Sequence, residues 1–363
     1  MNRTGTIGHR ASPPTVTVGT AVPRSLWREL HASDPDAVPT QAPEWLDCLT
    51  AMGGYRDASR LYEMPDGRRA LLPLVRRPYP RGGSAVLQSM PKSWGYGGLI
   101  APDGLTSDLV SAVLDDLSAT PALRVHIRPN PLHAAAWAKA AVGRPGITAV
   151  ASRAHVLDLD GGFERVWQDR FKPATRTDVR RTEKDGVTIE TDTTGRLVPV
   201  FYGLLLRSFD RWAQQQHEPM WLAQLRGRRR DPLNKFTAIA ERMGDGCRVS
   251  VAWFEDRPAA ATIVLRGGPN AHYTRGAMDE TLAARTNANC LLHKVAIEDA
   301  CRSGCRKYHM GESGSSAGLT RFKGRFGAQA YDYAEYWIER VPVYRADRAL
   351  RAGVKRVIGF QDA

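Results

Sequence analysis

The sequence predicts an α+β fold: two similar halves in tandem, each with a mixed, largely antiparallel central sheet flanked by helices. Three observations predict it. The second half carries, in order, a helix pair, a three-strand meander, a helix, a strand, a helix-turn and a last strand. The first half shows the same grammar more faintly, with an antiparallel component. The glycines around Trp94 lack the spacing of a dinucleotide-binding turn, so a doubly wound parallel sheet is not expected.

Each element has a local reason. Residues 1–25 are rich in Thr, Pro and Gly without an apolar signal core, which predicts a disordered leader in a cytoplasmic protein. Trp45 to Leu49 reads as part of an early helix. Ala58 to Tyr62 and Ala70 to Val75 read as strands around the turn Met64-Pro65-Asp66-Gly67. Pro78 to Gly83 is a loop, Thr106 to Leu117 is helical in pattern and Leu123 to Ile127 is a strand.

Beyond residue 150, Ala154 to Leu159 is a strand. Phe163 to Gly186 is a helix broken near Pro173, because proline removes a helical donor. Val187 to Glu190 is a short strand. Leu197 to Trp212 is amphipathic, apolar at Leu197, Phe201, Leu204, Leu205 and Phe209. Arg248 to Phe254, Ala260 to Leu265 and Ala271 to Thr274 form the meander. Cys290 to Ser303 is a helix closed by Gly304, Lys307 to Met310 a strand and Tyr331 to Glu339 the final strand.

A hydrophobic fraction of 42% and a charged fraction of 25% are those of a globular chain and argue against a disordered one. No stretch approaches the ~20 apolar residues of a membrane span. Five cysteines without a spaced framework argue against a disulfide scaffold. Cys301, Cys305 and His309 are spaced for a metal, but they run from a helix end into a strand and are expected to be ordinary buried groups. No cofactor and no metal are expected.

The net charge is +13. Residues 1–150 carry 16 Lys/Arg against 12 Asp/Glu, and the remainder 35 against 26. The excess therefore lies mainly in the second half, and such a field favours polyanionic partners. Arg176, Arg180 and Lys184 fall at i, i+4 and i+8 on one helix face beside Arg181, a stripe suited to phosphates or to plain solvation. Arg226 and Arg228-Arg229-Arg230 read as a loop cluster that can track an RNA backbone.

The most informative segment is Gly318-Leu319-Thr320-Arg321-Phe322-Lys323-Gly324-Arg325-Phe326-Gly327. A lysine held beside an aromatic in a glycine-rich turn can stabilise a developing negative charge or a phosphate. The alternative is a solvated basic turn beside core phenylalanines.

Several segments, in this order, resemble the FemABX family of aminoacyl-tRNA-dependent transferases and the neighbouring GNAT-like N-acyltransferases. They are Pro43 and Trp45, Leu72-Pro73-Leu74, Tyr96-Gly97-Gly98, Phe171-Lys172 through Arg176 to Val187, and Phe201-Tyr202 with Leu204-Leu205. Tyr273 with Gly276-Ala277, Leu291-Leu292 with Ala296 and Ala300, and Gly311 through Phe322-Lys323 to Phe326-Gly327 complete the set.

The resemblance covers about residues 40 to 340. It implies tandem GNAT-like domains: residues 26–150 on the acceptor side, completed by the C-terminal segment 341–363, and a catalytic domain over 151–340. It implies that Lys323 stabilises the tetrahedral intermediate of acyl transfer and that Phe322 stacks on the terminal adenosine of a tRNA. Arg321, Arg325, Tyr273, Tyr96, Trp94 and Tyr202 are the further substrate-binding candidates, and Arg176, Arg180, Arg181, Lys184, Arg228, Arg229 and Arg230 the RNA-binding ones.

The candidate general base is Glu312, with Asp210, His293 and His309 as alternatives. Leu282 to Asn289, where an acyl-CoA enzyme of this type needs a glycine-rich turn for the pyrophosphate, has no glycine. The expected donor is therefore aminoacyl-tRNA, with acyl-CoA as the alternative. The expected acceptor is a small amine or peptide, natural product or cell-wall precursor. Trp212 to Lys235 is too short for the coiled-coil arm of peptidoglycan-branching members. A monomer is expected.

Overall fold

The computed structural model describes residues 16–78, 85–314 and 316–339. The first half holds β1 (Thr17–Gly19), α1 (Arg24–Ser33), α2 (Pro43–Ala51), β2 (Arg56–Asp57), β3 (Arg60–Glu63), β4 (Arg69–Leu72), β5 (Val75–Pro78), β6 (Ala85–Ser89), α3 (Ser107–Ala119), β7 (Arg124–Ile127) and α4 (Ala134–Ala141). The second half begins with β8 (Ile147–Asp158), α5 (Gly162–Arg165) and a π turn, then α6 (Pro173–Lys184), β9 (Thr188–Asp192) and α7 (Val198–Gln215). It continues through α8 (Met220–Arg230), α9 (Leu233–Met243), β10 (Cys247–Phe254), β11 (Arg257–Gly267) and β12 (Asn270–Met278). Next come α10 (Glu280–Thr286), α11 (Ala288–Arg302), β13 (Lys307–Glu312), α12 (Ala317–Gly324) and β14 (Gln329–Glu339).

The fold is α+β with a mixed, mainly antiparallel sheet. The two expected sheets are one: eleven strands in the order β2-β5-β6-β7-β14-β8-β13-β12-β11-β10-β9, beside a small β1-β3-β4 sheet. The joint is β14. It pairs with β8 from Gln329↔Val156 to Ile338↔Ile147, and its last residues pair on the other edge with β7, Tyr336↔Ile127 to Glu339↔Arg124. Among the described strands only β6–β7 and β12–β13 run parallel, one such pair in each half.

Three local expectations change. The leader expected to residue 25 gives way to structure at Thr17, because β1 adds to β3 and α1 buries Trp27 and Leu30. Residues 1–15 and the segment 341–363 lie outside the described residues. The loop expected around Arg226 is helix α8, since Met220 to Leu225 are good helix formers. The Phe-Lys turn is helix α12, capped by the Ser316 hydroxyl, which accepts from the Leu319 amide. The true turn follows it, where Gly327 has φ 84° and a Cβ would stand 2.5 Å from the Arg170 carbonyl.

Three cores hold the elements. One joins the halves, packing Trp27, Trp45, Leu46 and Leu49 of α1 and α2 against Phe201, Leu205 and Phe209 of α7 and Phe236 of α9. The second lies between the sheet and α6 and α11, around Phe171, Leu291, Tyr308 and Phe326. The third packs α3 and α4 on the first-half strands. Between the first two cores the sheet opens.

Candidate active site

The opening comes from one parallel pair. β12 and β13 are paired only from Asn270↔Lys307 to His272↔His309, yet β12 continues to Met278 and β13 to Glu312. Past the histidines the strands part like a V. A cavity of about 430 Å³ fills the gap, lined by Tyr273 and Gly276 on one arm, Met310 to Glu312 on the other and Phe322 and Lys323 of α12. Lys92, Tyr96 and Arg128 from the first half close one wall, and Arg230, Asp231 and Lys235 from the α8–α9 corner another.

Lys323 is 4% exposed. Its Nζ donates to the carbonyls of Gly311 at 2.9 Å and Glu312 at 2.7 Å. Burial pushes its pKa down to about 8, with the Glu312 charge pulling the other way. At neutral pH it is mostly an ammonium. An ammonium has three donors, and two are committed to carbonyls, which leaves one for a ligand oxygen.

Glu312 is not a free base. Its carboxylate accepts from the Arg128 guanidinium and from the Tyr333 hydroxyl. Arg128, 4% exposed, also donates Nε to Glu335 at 2.9 Å and a terminal nitrogen to the Gly95 carbonyl at 3.1 Å. Burial disfavours the Arg128 charge, but Glu312 and Glu335 outweigh it and push the pKa up. Burial likewise works against the Glu335 carboxylate, but the His126 hydrogen bond and Arg128 hold it at about 2.

A second charged group sits across the cavity. Asp231, buried at the head of α9, accepts from Lys235 Nζ at 2.9 Å, from Arg230 Nε at 2.8 Å and from Arg275. Lys235 also donates to the Ser93 carbonyl at 2.7 Å and lies 4.5 Å from the Trp94 ring centre. Burial lowers Lys235 to about 8 against the pull of Asp231.

The structure brings together Lys323, Glu312, Phe322, Tyr273, Tyr96 and Arg230 of the expected site residues, all lining the cavity. It does not bring in the others. Trp94 is buried behind Lys235, edge-on to Trp45. Tyr202 packs behind Phe236. Arg321 is exposed on α12, away from the cavity lining. Arg325 faces α6, paired with Asp178 and 3.3 Å from the Thr175 hydroxyl.

The α6 stripe is divided. Arg176 is spent on the carbonyls of Trp167, Gln168 and Phe171, Arg180 lies over the Trp167 ring and Arg181 meets Asp185 at 3.5 Å. Lys184 is exposed. Arg228 and Arg229 are exposed on α8.

Of the alternative bases, His293 also lines the cavity, among Tyr273, Phe322 and Phe326, but burial with Lys323 nearby pushes it down to about 3. His309 is fully buried and held well below the usual histidine range. Asp210 accepts from Gln224 at 2.8 Å and does not line the cavity. Sequence reasoning missed Arg128, Tyr333, Glu335, Asp231, Lys235 and Arg275. The one signal present was Asp231 and Lys235 at i, i+4 across Pro232.

Residues 169–324 match the model of the acetyltransferase (GNAT) domain. FemX has a similar fold over almost the full length: TM-score 0.67, 13% identity, 91% of this chain and 99% of FemX. The chain is FemABX/GNAT-like in fold. Two further neighbours are more distant. A domain assigned to the C-terminus of a lysylphosphatidylglycerol synthetase from Agrobacterium fabrum has TM-score 0.50 and 15% identity, covering 93% of this chain and 97% of that one. A Bacteroides thetaiotaomicron protein of unknown function has TM-score 0.50 and 10% identity, covering 86% and 90%. No curated protein matches the chain by sequence. The GNAT match runs from before α6 to the end of α12, so it contains the V, Glu312 and Lys323.

Proposed function

We propose that the protein is an aminoacyltransferase that moves an amino acid from aminoacyl-tRNA to the amine of a small molecule or peptide. The observation that carries the reading is the Lys323 ammonium, buried at the open V with one donor uncommitted. The acceptor nitrogen attacks the ester carbon in the cavity, and the carbonyl oxygen takes negative charge. Lys323 stabilises that oxygen in a poorly solvated place, where one such donor contributes about 3–4 kcal/mol. The carbon–nitrogen bond forms, the ester carbon–oxygen bond breaks, and the nitrogen's proton ends on the departing ribose hydroxyl. Arg128 and Tyr333 fix the Glu312 side chain at the end of β13, and the neighbouring carbonyls of Gly311 and Glu312 hold Lys323.

The choice of donor rests on the segment after β12. Where a CoA pyrophosphate would need open amides, Asp279 caps α10, accepting from the Leu282 amide at 3.2 Å, and Glu280 follows. Asp279 is paired with Arg207 at 2.9 Å as well, so its carboxylate and the Leu282 amide are already committed. The FemABX resemblance and the name of the lysylphosphatidylglycerol synthetase neighbour support an aminoacyl donor. The second reading, an acyl-CoA-dependent N-acyltransferase, is favoured by the acetyltransferase domain match.

The test is a donor comparison. The purified protein is mixed with tRNA charged with labelled amino acids and, separately, with labelled acetyl-CoA. Salt-sensitive retention of aminoacyl-tRNA without CoA binding is expected. Tight CoA binding with indifference to tRNA would replace the first reading with the second.

A further inference from the structure

The most unusual surface lies outside the cavity. Seven large apolar residues are exposed among the described residues, and four of them, Met220, Trp221, Leu225 and Leu233, fall within α8 and the first residue of α9. Trp221 is 68% exposed. A surface helix normally turns its apolar side inward. α8 does the reverse: Gly227 is its one buried residue, seated where a Cβ would stand 2.6 Å from the Phe209 ring of α7.

At 100° per residue, the face opposite Gly227 presents Arg228, Trp221, Leu225 and Arg229 in that order across its width. Two apolar side chains are thus flanked by two arginines. Among the described residues neither Arg228 nor Arg229 has an ion-pair partner. No described helix is long and apolar enough to cross a membrane, and α8, about 16 Å long, is far from it.

We propose that this face of α8 docks on the surface of an anionic phospholipid bilayer. Trp221 and Leu225 enter the boundary between headgroups and acyl chains, and Arg228 and Arg229 meet the lipid phosphates. The charge of the chain, +13, has the complementary sign. An RNA strand uses an aromatic and cations but has no use for Leu225. A second copy across a two-fold axis would bring four arginines together around the apolar patch. The docked helix ends at Arg230, which lines the cavity, so the bilayer lies beside the reaction chamber. An acceptor or product held in the headgroup layer reaches it without leaving the surface.

The test is co-sedimentation of the full-length protein with vesicles of phosphatidylcholine alone and of phosphatidylcholine mixed with phosphatidylglycerol. Binding is expected to the mixed vesicles, weakening with salt. Trp221→Ser with Leu225→Ser is expected to lower partitioning about tenfold or more, with unchanged circular dichroism and melting temperature. Arg228→Gln with Arg229→Gln is expected to remove most of the preference for the anionic vesicles.

The proposal is overturned if the wild type ignores mixed vesicles, or binds both compositions alike. It is also overturned if the Trp221/Leu225 variant binds as the wild type does. The same holds if that variant loses tRNA affinity but not vesicle binding, or converts a dimer to monomers in sedimentation velocity. No donor is present in the assay, so the result is independent of the transferase reading.

Discussion

Replacing Lys323 with methionine separates stability from activity. The thioether keeps most of the buried stem but removes the ammonium and its bonds to the Gly311 and Glu312 carbonyls. A lysine pKa that falls from 10.5 to about 8 on folding means that the folded state disfavours the charge by about 3 kcal/mol. The Lys323→Met variant escapes that penalty but leaves two half-buried carbonyls without this donor, at up to about 1–3 kcal/mol each. The two effects oppose, so the melting temperature should move by only a few degrees. Turnover should fall about 10²- to 10³-fold, the effect of removing one donor to an oxyanion.

The pH dependence gives a second readout. Between the folded pKa near 8 and the unfolded value of 10.5, the unfolded chain binds more protons at this site, so its contribution to stability rises with pH. Activity runs the other way, because the ammonium is lost above about pH 8. Wild-type turnover should therefore decline on the alkaline side, and the residual turnover of Lys323→Met should lack that limb. Lys235, also near 8, serves as the control through Lys235→Met, which should keep the limb due to Lys323. The assay is donor-dependent amide formation across pH, with melting curves in parallel. Turnover of Lys323→Met within threefold of wild type would refute the oxyanion role.

Arg128→Leu strands two carboxylates, Glu312 and Glu335, and should cost about 3–5 kcal/mol, read as a fall in denaturation midpoint. Gly227→Ala drives a methyl into the Phe209 ring and should destabilise by about 1–3 kcal/mol, with α8 the first segment to exchange its amides. Asp231→Asn removes the partner of three cations and should destabilise by about 3–5 kcal/mol at neutral pH. The Asp231 carboxylate is held near 2, burial being outweighed by Lys235, Arg275 and Arg230, so its contribution is present above 3.8 and lost as pH falls towards 2. The gap between Asp231→Asn and wild type should narrow through that window, and a gap independent of pH would exclude the assignment.

What could be read from the sequence was what short spans encode. The meander followed from alternation between Arg248 and Thr274, and the structure lengthens its strands without reordering them. Pro173 marked the break between the π turn and α6 correctly, because a proline opens a helix well and continues one badly. Thr106, read as the first helical residue, is the cap of α3, its hydroxyl accepting from the Leu109 amide. The failures have tertiary causes. Nothing local in Tyr331 to Glu339 says that one strand will pair on both edges with strands of different halves.

α8 was missed because its apolar residues face outward, which erases the inward stripe that announces a helix. In the site, Lys323 and Glu312 lie eleven residues apart and could be found together. Arg128 lies 184 residues from Glu312 and 207 from Glu335, and no periodicity reaches that far. Arg176 shows the converse: its spacing suited a phosphate stripe, but three carbonyls at the end of the π turn claim it.

The division of the cavity walls bears on specificity. The span that matches the GNAT domain holds the V, Lys323 and Glu312, the parts to which the proposed transfer assigns the chemistry. Lys92, Tyr96 and Arg128 face the same space from outside that span, in the first half. Arg128 ties the two regions by holding Glu312 of β13 and Glu335 of β14 at once. The chemistry and its reach are therefore separable. Changes in the Lys92–Tyr96 loop can alter which amine is admitted while Lys323 keeps its carbonyl partners, whereas changes at Arg128 disturb both. On the proposed transferase reading, side chains of the first-half wall, and not those of α12, should set acceptor choice.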